Sequence, residues 1–332
     1  MTRHINRRKA LTTIGAATAT GMTGLAGCLG AEGEYPSDPL TAIVPFDEGG
    51  GSDTIIRQMA GPLSEELDED IRIENVPGAG AMRGIGQLIT SEPDGYTFGK
   101  FNPLTTSIQA LINPPDFEFQ DLKGLATIGS NALVVITDTE LEIEGLGDLV
   151  DRYDDGEIDN IGGLGAQYLP HAMFFKERYG MEWDNYIQYS GGGPINQAVA
   201  SGEVPAAVNA DLSSIGVVEE GNADVAAVLT TSGSAVFPDV TNVTDQGFEE
   251  MDFLGQVTRS MWVPPETPED RIEPLTEAVE ATIESETIQN WADETNNRMA
   301  YGPPEEADQV LEQIWTEIPD VVDIEELREA AE

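Results

Sequence analysis

The sequence predicts an α/β fold in two lobes, and three observations predict it. Apolar strand segments alternate with stretches of roughly 10–15 residues at helical spacing, the pattern of parallel βαβ units. The alternation breaks at a strongly β-forming run, Leu133 to Thr137, and restarts beyond it as a second unit would. The chain's 332 residues are enough for two domains of ordinary size. The expected partition is a leader over 1–27, a tether over 28–36, a first lobe from 37–132 and 260–332, and a second lobe over 133–259.

In the first lobe, a strand at Thr41 to Val44 leads into Phe46-Asp47-Glu48-Gly49-Gly50-Gly51-Ser52-Asp53. The glycines let the backbone pass close to whatever lies above it, and Ser52 opens a helix whose first N–H groups have no partner within that helix. Such a turn is a cradle for one small anion, or a plain structural turn; the residues alone leave both open. It is no nucleotide P-loop, because no Gly-Lys-Ser/Thr follows it. The next helix carries Ile56, Met59, Leu63 and Leu67 on one face, with Pro62 expected to bend it. Ile71 to Glu74 is a strand, Pro77-Gly78-Ala79-Gly80 a second glycine turn, and Ile85, Leu88 and Ile89 mark a helix. Pro93-Asp94-Gly95 turns the chain into a strand at Tyr96 to Phe101.

In the second lobe, strands are expected near Asn160, at Tyr186 to Tyr189, at Ala206 to Asn209 and at Val225 to Leu229, with helices over Pro170 to Tyr179 and from Pro194. The apolar segment Phe253 to Val263 is placed to return the chain to the first lobe. Helices over 271–285, 287–294 and 305–318 close the sequence, with Ile272, Leu275, Val279 and Ile283 as a core stripe. Two lobes joined by more than one crossing form a hinged cleft. Ligands of such sheets sit beyond the carboxyl ends of the strands, where the glycine turns lie.

Charge narrows the class. The net charge is −45, and because residues 1–27 hold no acid but four of the 16 Lys and Arg, the rest sets 12 cations against all 61 Asp and Glu. The acids are spread along the chain, as on a solvated surface adapted to salt. At molar salt the screening length is about 3 Å, so their self-repulsion and their repulsion of an anionic ligand are short-ranged. Nucleic acid is excluded as a partner, for there is no basic stripe to displace its counterions. Cys28 is the only cysteine, which rules out an internal disulfide, a cysteine zinc cluster and Cys-X-X-Cys redox chemistry.

The first residues read as an address. Arg7-Arg8-Lys9 resembles a twin-arginine export motif, the stretch to Ala26 is too short and mild for a membrane span, and Leu25-Ala26-Gly27-Cys28 resembles a lipobox. Cys28 is then the lipidated first residue of an exported protein held on the outer face of the cytoplasmic membrane.

The order of motifs says more than any one of them. Val44-Pro45-Phe46 with Gly49 to Asp53, then Glu74-Asn75-Val76-Pro77-Gly78-Ala79-Gly80, Pro93-Asp94-Gly95-Tyr96-Thr97 and Tyr189-Ser190-Gly191-Gly192-Gly193-Pro194 follow one another as in the Bug, or TctC-like, family. The chain resembles these extracytoplasmic solute receptors of tripartite tricarboxylate transporters from about Tyr35 to Pro319. The resemblance implies a periplasmic-binding-protein-like fold that closes on a small carboxylate-bearing solute and presents it to membrane permease subunits. It also implies a ligand held by amides, hydroxyls and water and needing no arginine. No cofactor or metal is expected, because the single histidine beyond the leader cannot build a zinc site, and a monomer is expected.

Carried over by position, the implied ligand contacts are Phe46, Gly49, Gly50, Gly51, Ser52 and Asp53; Thr105, Thr106 and Ser107; Gly165, Ala166, Gln167 and His171; Ser190, Gly191 and Gly192; and Asp211. Two departures stand out. Ser190 replaces a basic residue found in many members, and Gly165 to His171 replaces a loop usually richer in Gly and Ser. Bland readings stand beside these: Thr105 to Ser107 and Asp211 as helix caps, His171 as a packed side chain, Met261, Trp262 and Trp183 as core and not an aromatic clamp. Gly-X-Ser-X-Gly and His-Glu-X-X-His are absent, which leaves a hydrolase without machinery. A receptor that reports its ligand to a signalling protein would use the same cleft.

Overall fold

The computed structural model describes residues 35–331; the leader, the lipobox and Cys28 lie outside the described residues. The first stretch runs β1 (Leu40–Val44), α1 (Gly51–Leu67), β2 (Ile71–Asn75), α2 (Met82–Ile89), β3 (Thr97–Phe101), α3 (Pro103–Ile112) and β4 (Lys123–Thr137). The second runs α4 (Leu146–Asp154), β5 (Asn160–Leu164), α5 (Leu169–Phe174), β6 (Asn185–Tyr189), α6 (Gly192–Ala200), β7 (Ala206–Ala210), α7 (Asp211–Glu219) and β8 (Asp224–Val228). The last runs α8 (Asp252–Gly255), β9 (Gln256–Val263), α9 (Glu269–Glu284), α10 (Glu286–Thr295), α11 (Pro304–Val321) and α12 (Ile324–Ala331).

The strands pair in the order β2-β1-β3-β9-β4-β7-β5-β6, with β8 against β4 off that path. Pairing is parallel for β1 with β2 and β3 in one lobe and for β5 with β6 and β7 in the other, while β8 lies antiparallel to β4. The long strands that join the lobes are antiparallel. Strand β4 makes the join: Lys123 to Ala132 pairs with β9, and from Leu133 onward it pairs with β7, with β8 joining at Val134. Its register slips between Thr127 and Gly129, where Gly129 has φ +130° and a Cβ would collide with the Arg298 carbonyl. Only glycine holds that bulge.

Apolar periodicity becomes core as the sequence implies. Ile56, Met59, Leu63 and Leu67 of α1 meet Ile272, Leu275, Val279 and Ile283 of α9 over β1. Pro62 does not end α1, which continues to Leu67. Met261 and Trp262 are fully buried, the indole stacking on Phe101 at 5.2 Å between centroids, so they are packing and not a clamp. Trp183 is likewise buried, its indole N–H donating to the Ala172 carbonyl at 2.7 Å. Helix α11 serves both lobes: Leu311 packs with Ile43 and Ile85, while Ile314 and Ile318 join Phe174, Phe175 and Val208.

Candidate functional site

A cleft of about 880 Å³ opens between the lobes. One wall is the glycine turn (Phe46, Gly49, Gly50, Gly51, Ser52), the second turn (Gly78, Gly80) and the start of α3 (Thr105, Thr106); the other is Leu164, Gln167 and Tyr168. Lys100, Asn102, Val257, Arg259, Trp291 and Asn297 also line it, as does Asp47 in the glycine turn.

Two amides of the glycine turn are spent within it, that of Gly50 on the Asp47 carbonyl at 3.2 Å, and the unspent ones belong to the first helical residues from Gly51 on. Gly49 has φ +82°, and its N–H donates to Asp53 Oδ2 at 2.8 Å. Gly50, extended at φ −71° and ψ 168°, is the N-cap of α1 and brings no capping side chain. The first amides of α1 therefore have no side-chain acceptor at the positive end of the helix dipole. Asp53 lies under the turn and not in the cleft. Its carboxylate also accepts from Arg57 Nε at 2.7 Å and Asn75 Nδ2 at 2.9 Å. The Arg57 hydrogen bond leads the causes that hold its pKa down to about 2. It is a staple, and Asn75 extends it by donating to the Phe46 carbonyl at 3.1 Å.

Beside the turn stand two cations that sequence reasoning missed. Lys100, 1 % exposed on β3, donates from Nζ to Ser52 Oγ at 2.9 Å and to Asn102 Oδ1 at 3.0 Å. Arg259, 6 % exposed on β9, donates from Nη1 to the Arg298 carbonyl at 3.0 Å, with Asn297 Oδ1 at 3.5 Å from Nη2. Neither belongs to any of the salt bridges among the described residues. Burial, and then the charge of Arg259, pushes the Lys100 ammonium well below its ordinary range; burial lowers Arg259 to about 10 against a pull upward from Asp211. The signal was present in the sequence. One of only three lysines beyond the leader sits inside the apolar strand Thr97-Phe98-Gly99-Lys100-Phe101, and Arg259 interrupts the apolar run 253–263.

The remaining positions divide clearly. Thr105 and Thr106 line the cleft, the Thr106 hydroxyl donating to the Asn102 carbonyl at 2.6 Å, while Ser107 is buried away from it with Oγ unpartnered. Gln167 reaches the cleft; Gly165 and Ala166 share its short 3-10 turn without lining it, and the Gly165 carbonyl accepts from Tyr186 Oη at 2.8 Å.

His171 stands outside the cleft. It is fully buried, Nε2 lies 2.8 Å from the Leu254 carbonyl and Nδ1 3.1 Å from that of Tyr168, and burial lowers its pKa to about 4. Ser190, Gly191 and Gly192 sit at the start of α6, also outside the cleft. Asp211 is buried at the first position of α7, its oxygens taken by Ser234 Oγ at 2.7 Å, the Leu212 N–H at 2.7 Å and Asn131 Nδ2 at 3.3 Å. Among the described residues no histidine or cysteine lines the cleft, and bare amides, hydroxyls and two cations are what they offer a ligand. That set binds anions.

The tripartite tricarboxylate transporter family receptor profile matches residues 55–313. Protein BugT of Bordetella pertussis is 29 % identical over 252 residues, covering 74 % of this chain and 76 % of that one. Among solved structures, a ligand-free TctC solute binding protein from Polaromonas superposes with a TM-score of 0.78 at 19 % identity, covering 86 % of this chain and 98 % of its own. MatC of Rhodopseudomonas palustris, solved with bound malate, does so with a TM-score of 0.63 at 20 % identity, covering 90 % and 100 %. The chain belongs to the tripartite tricarboxylate transporter receptor family.

Proposed function

We propose that the chain captures a small carboxylate-bearing solute outside the cytoplasmic membrane and delivers it to the permease subunits of a tripartite transporter. The observation that carries this is the uncapped start of α1 at Gly51 and Ser52, opening into the cleft beside the Lys100 ammonium, which has no carboxylate partner among the described residues. A carboxylate there meets helix-terminal amides, the Ser52 and Thr105 hydroxyls and a cation. The malate bound in MatC supports the ligand class.

Closure about β4 and β9 would carry the second lobe onto the ligand. Gln167 already lines the cleft, and Gly165, Ala166, Ser190, Gly191 and Gly192 are the second-lobe backbone that approaches with it. Asp53, Ser107, His171 and Asp211 support these surfaces from beneath and do not touch the solute. Cys28 carries the lipid anchor after twin-arginine export, and the receptor works as a monomer in a saline medium, where its acidic surface is screened.

A thermal-shift screen of carboxylates in molar sodium chloride tests the proposal, because a ligand of the folded state alone raises its apparent stability. At least one small carboxylate should raise the unfolding temperature in a concentration-dependent way. A panel of mono-, di- and tricarboxylates without effect refutes the proposal.

A further inference from the structure

We propose that Lys100 and Arg259 form a side-chain anion subsite in the cleft that sets the charge of the solute, so that this receptor takes dianions in preference to monoanions of the same shape. The inference rests on the carboxylate-receptor reading and adds to it the residues that choose among carboxylates.

The first argument is compensation. A buried ion without a counter-ion is strongly destabilising even after the surroundings relax. With 61 acids in the chain, partners for two cations are abundant, yet neither Lys100 nor Arg259 has a carboxylate within ion-pair distance among the described residues. Asp47 is the only acid among the described residues that line the cleft, and it is exposed. Two buried basic groups therefore face a space of about 880 Å³ in which Asp47 is the fixed acid, while Asp211, whose charge pulls Arg259 upward, is itself held by Ser234, Leu212 and Asn131.

The second argument is unused donor capacity. An ammonium has three N–H groups and a guanidinium five. Lys100 uses two, on Ser52 Oγ and Asn102 Oδ1. Arg259 uses one well, on the Arg298 carbonyl, and one at the 3.5 Å limit. Both residues line the cleft, so the spare donors are within reach of its contents. The acceptors that Lys100 does use are neutral oxygens, which orient the ammonium without cancelling its charge.

The third argument is position. The Lys100–Ser52 hydrogen bond ties the ammonium to the first turn of α1, so a carboxylate at the bare amides also meets Lys100. Arg259 is close enough to depress the lysine's proton affinity, the second cause after burial. One carboxylate neutralises one of these charges and leaves the other buried; a second carboxylate on the same solute neutralises both. Loss of the solute's second charge, with shape kept, then exposes the full cost of an unpaired buried cation.

The test is calorimetric titration of the whole chain at neutral pH in molar sodium chloride. The probes are straight-chain dicarboxylates from oxalate to suberate, the half-amide of each, the monocarboxylates of equal length, and inorganic sulfate as a dianion without a carbon skeleton. Expected is at least one dicarboxylate binding ten-fold or more tighter than its own half-amide, and that ratio falling to within about three-fold in Lys100→Met or in Arg259→Gln. Lys100→Met removes a buried charge and keeps its volume, so the ligand-free variant should unfold at or above the wild-type temperature; Arg259→Gln supplies an independent variant.

Half-amides or monocarboxylates binding as tightly as the diacids overturns the inference and leaves the receptor reading standing. A ratio that survives in both variants overturns it as well. Sulfate binding as tightly as the best dicarboxylate would mean a site for inorganic dianions and overturns the assignment to solute carboxylates. Absence of binding by every carboxylate overturns the receptor reading and this inference together.

Discussion

His171 separates a ligand contact from a packed residue by pH alone. Its ring is fully buried between two backbone carbonyls, with Tyr168 edge-on at 5.2 Å and no carboxylate bonded to it. A neutral imidazole can donate to only one carbonyl, the nearer being that of Leu254, and protonation would let it donate to both. Burial outweighs that gain and lowers the pKa from 6.5 to about 4. The unfolded chain then binds a proton between those values that the folded chain refuses, so stability falls as pH drops from 6.5 towards 4. At about 1.4 kcal/mol per pKa unit, His171 removes about 3 kcal/mol over that window.

The assay is urea unfolding at fixed molar salt, at intervals from pH 7 to pH 4, for the wild type and His171→Gln. The many acids titrate in both proteins, so the difference between the two isolates the histidine. That difference should shift against the wild type by about 3 kcal/mol, or about 1 M in urea midpoint for a slope near 3 kcal/mol/M. A flat difference refutes the reasoning. An opposite slope would place His171 beside a carboxylate in the cleft, with a raised pKa.

Two further predictions concern the scaffold of the site. Asp53→Ala removes the acceptor of Gly49, Arg57 and Asn75, which should cost about 1–3 kcal/mol in urea unfolding and weaken carboxylate binding although the side chain touches no ligand; unchanged affinity would contradict the staple. Because its carboxyl is held at about 2, the contribution of Asp53 is complete above its ordinary pKa of 3.8 and disappears as pH falls from there to 2. Gly129→Ala forces a Cβ into the Arg298 carbonyl at φ +130°, and a loss of at least about 1–3 kcal/mol in the same assay is expected. Wild-type stability in Gly129→Ala would mean that the bulge in β4 carries no constraint.

The strand–helix order was legible because each lobe repeats one unit whose apolar face must be buried, and the glycine turns announced where its strands end. The reach of β4 was not. Only Leu133 to Thr137 is uniformly β-forming, while Lys123 to Ala132 carries glycines and polar residues that become strand through pairing with β9. The glycine turn that the proposal assigns to the solute's carboxylate was readable as a turn from Gly49 to Ser52, since backbone conformation is written in glycine. The second-lobe candidates were not separable by sequence, because a helix-starting Ser or Asp looks alike whether it faces a cleft or caps α7. Lys100 and Arg259 escaped notice for a related reason. Pattern reading treats a cation in an apolar strand as an edge or a surface position, and only the packed structure shows both nearly without solvent.

The claim on which the rest depends is that the bare amides at the start of α1 hold the solute. Gly51 tests it more cleanly than its neighbours. Its φ is negative, and a Cβ there meets nothing within 4 Å, whereas Gly49 has φ +82° and a Cβ on Gly50 lies 3.2 Å from the Asp47 carbonyl. Gly51→Leu therefore fills the cleft above the amides without straining the backbone, and unfolding should stay within about 0.5–1 kcal/mol of wild type. Calorimetric titration of the best-stabilising carboxylate should show at least a hundred-fold loss of affinity in Gly51→Leu at unchanged unfolding temperature. Wild-type affinity in that variant would contradict the account.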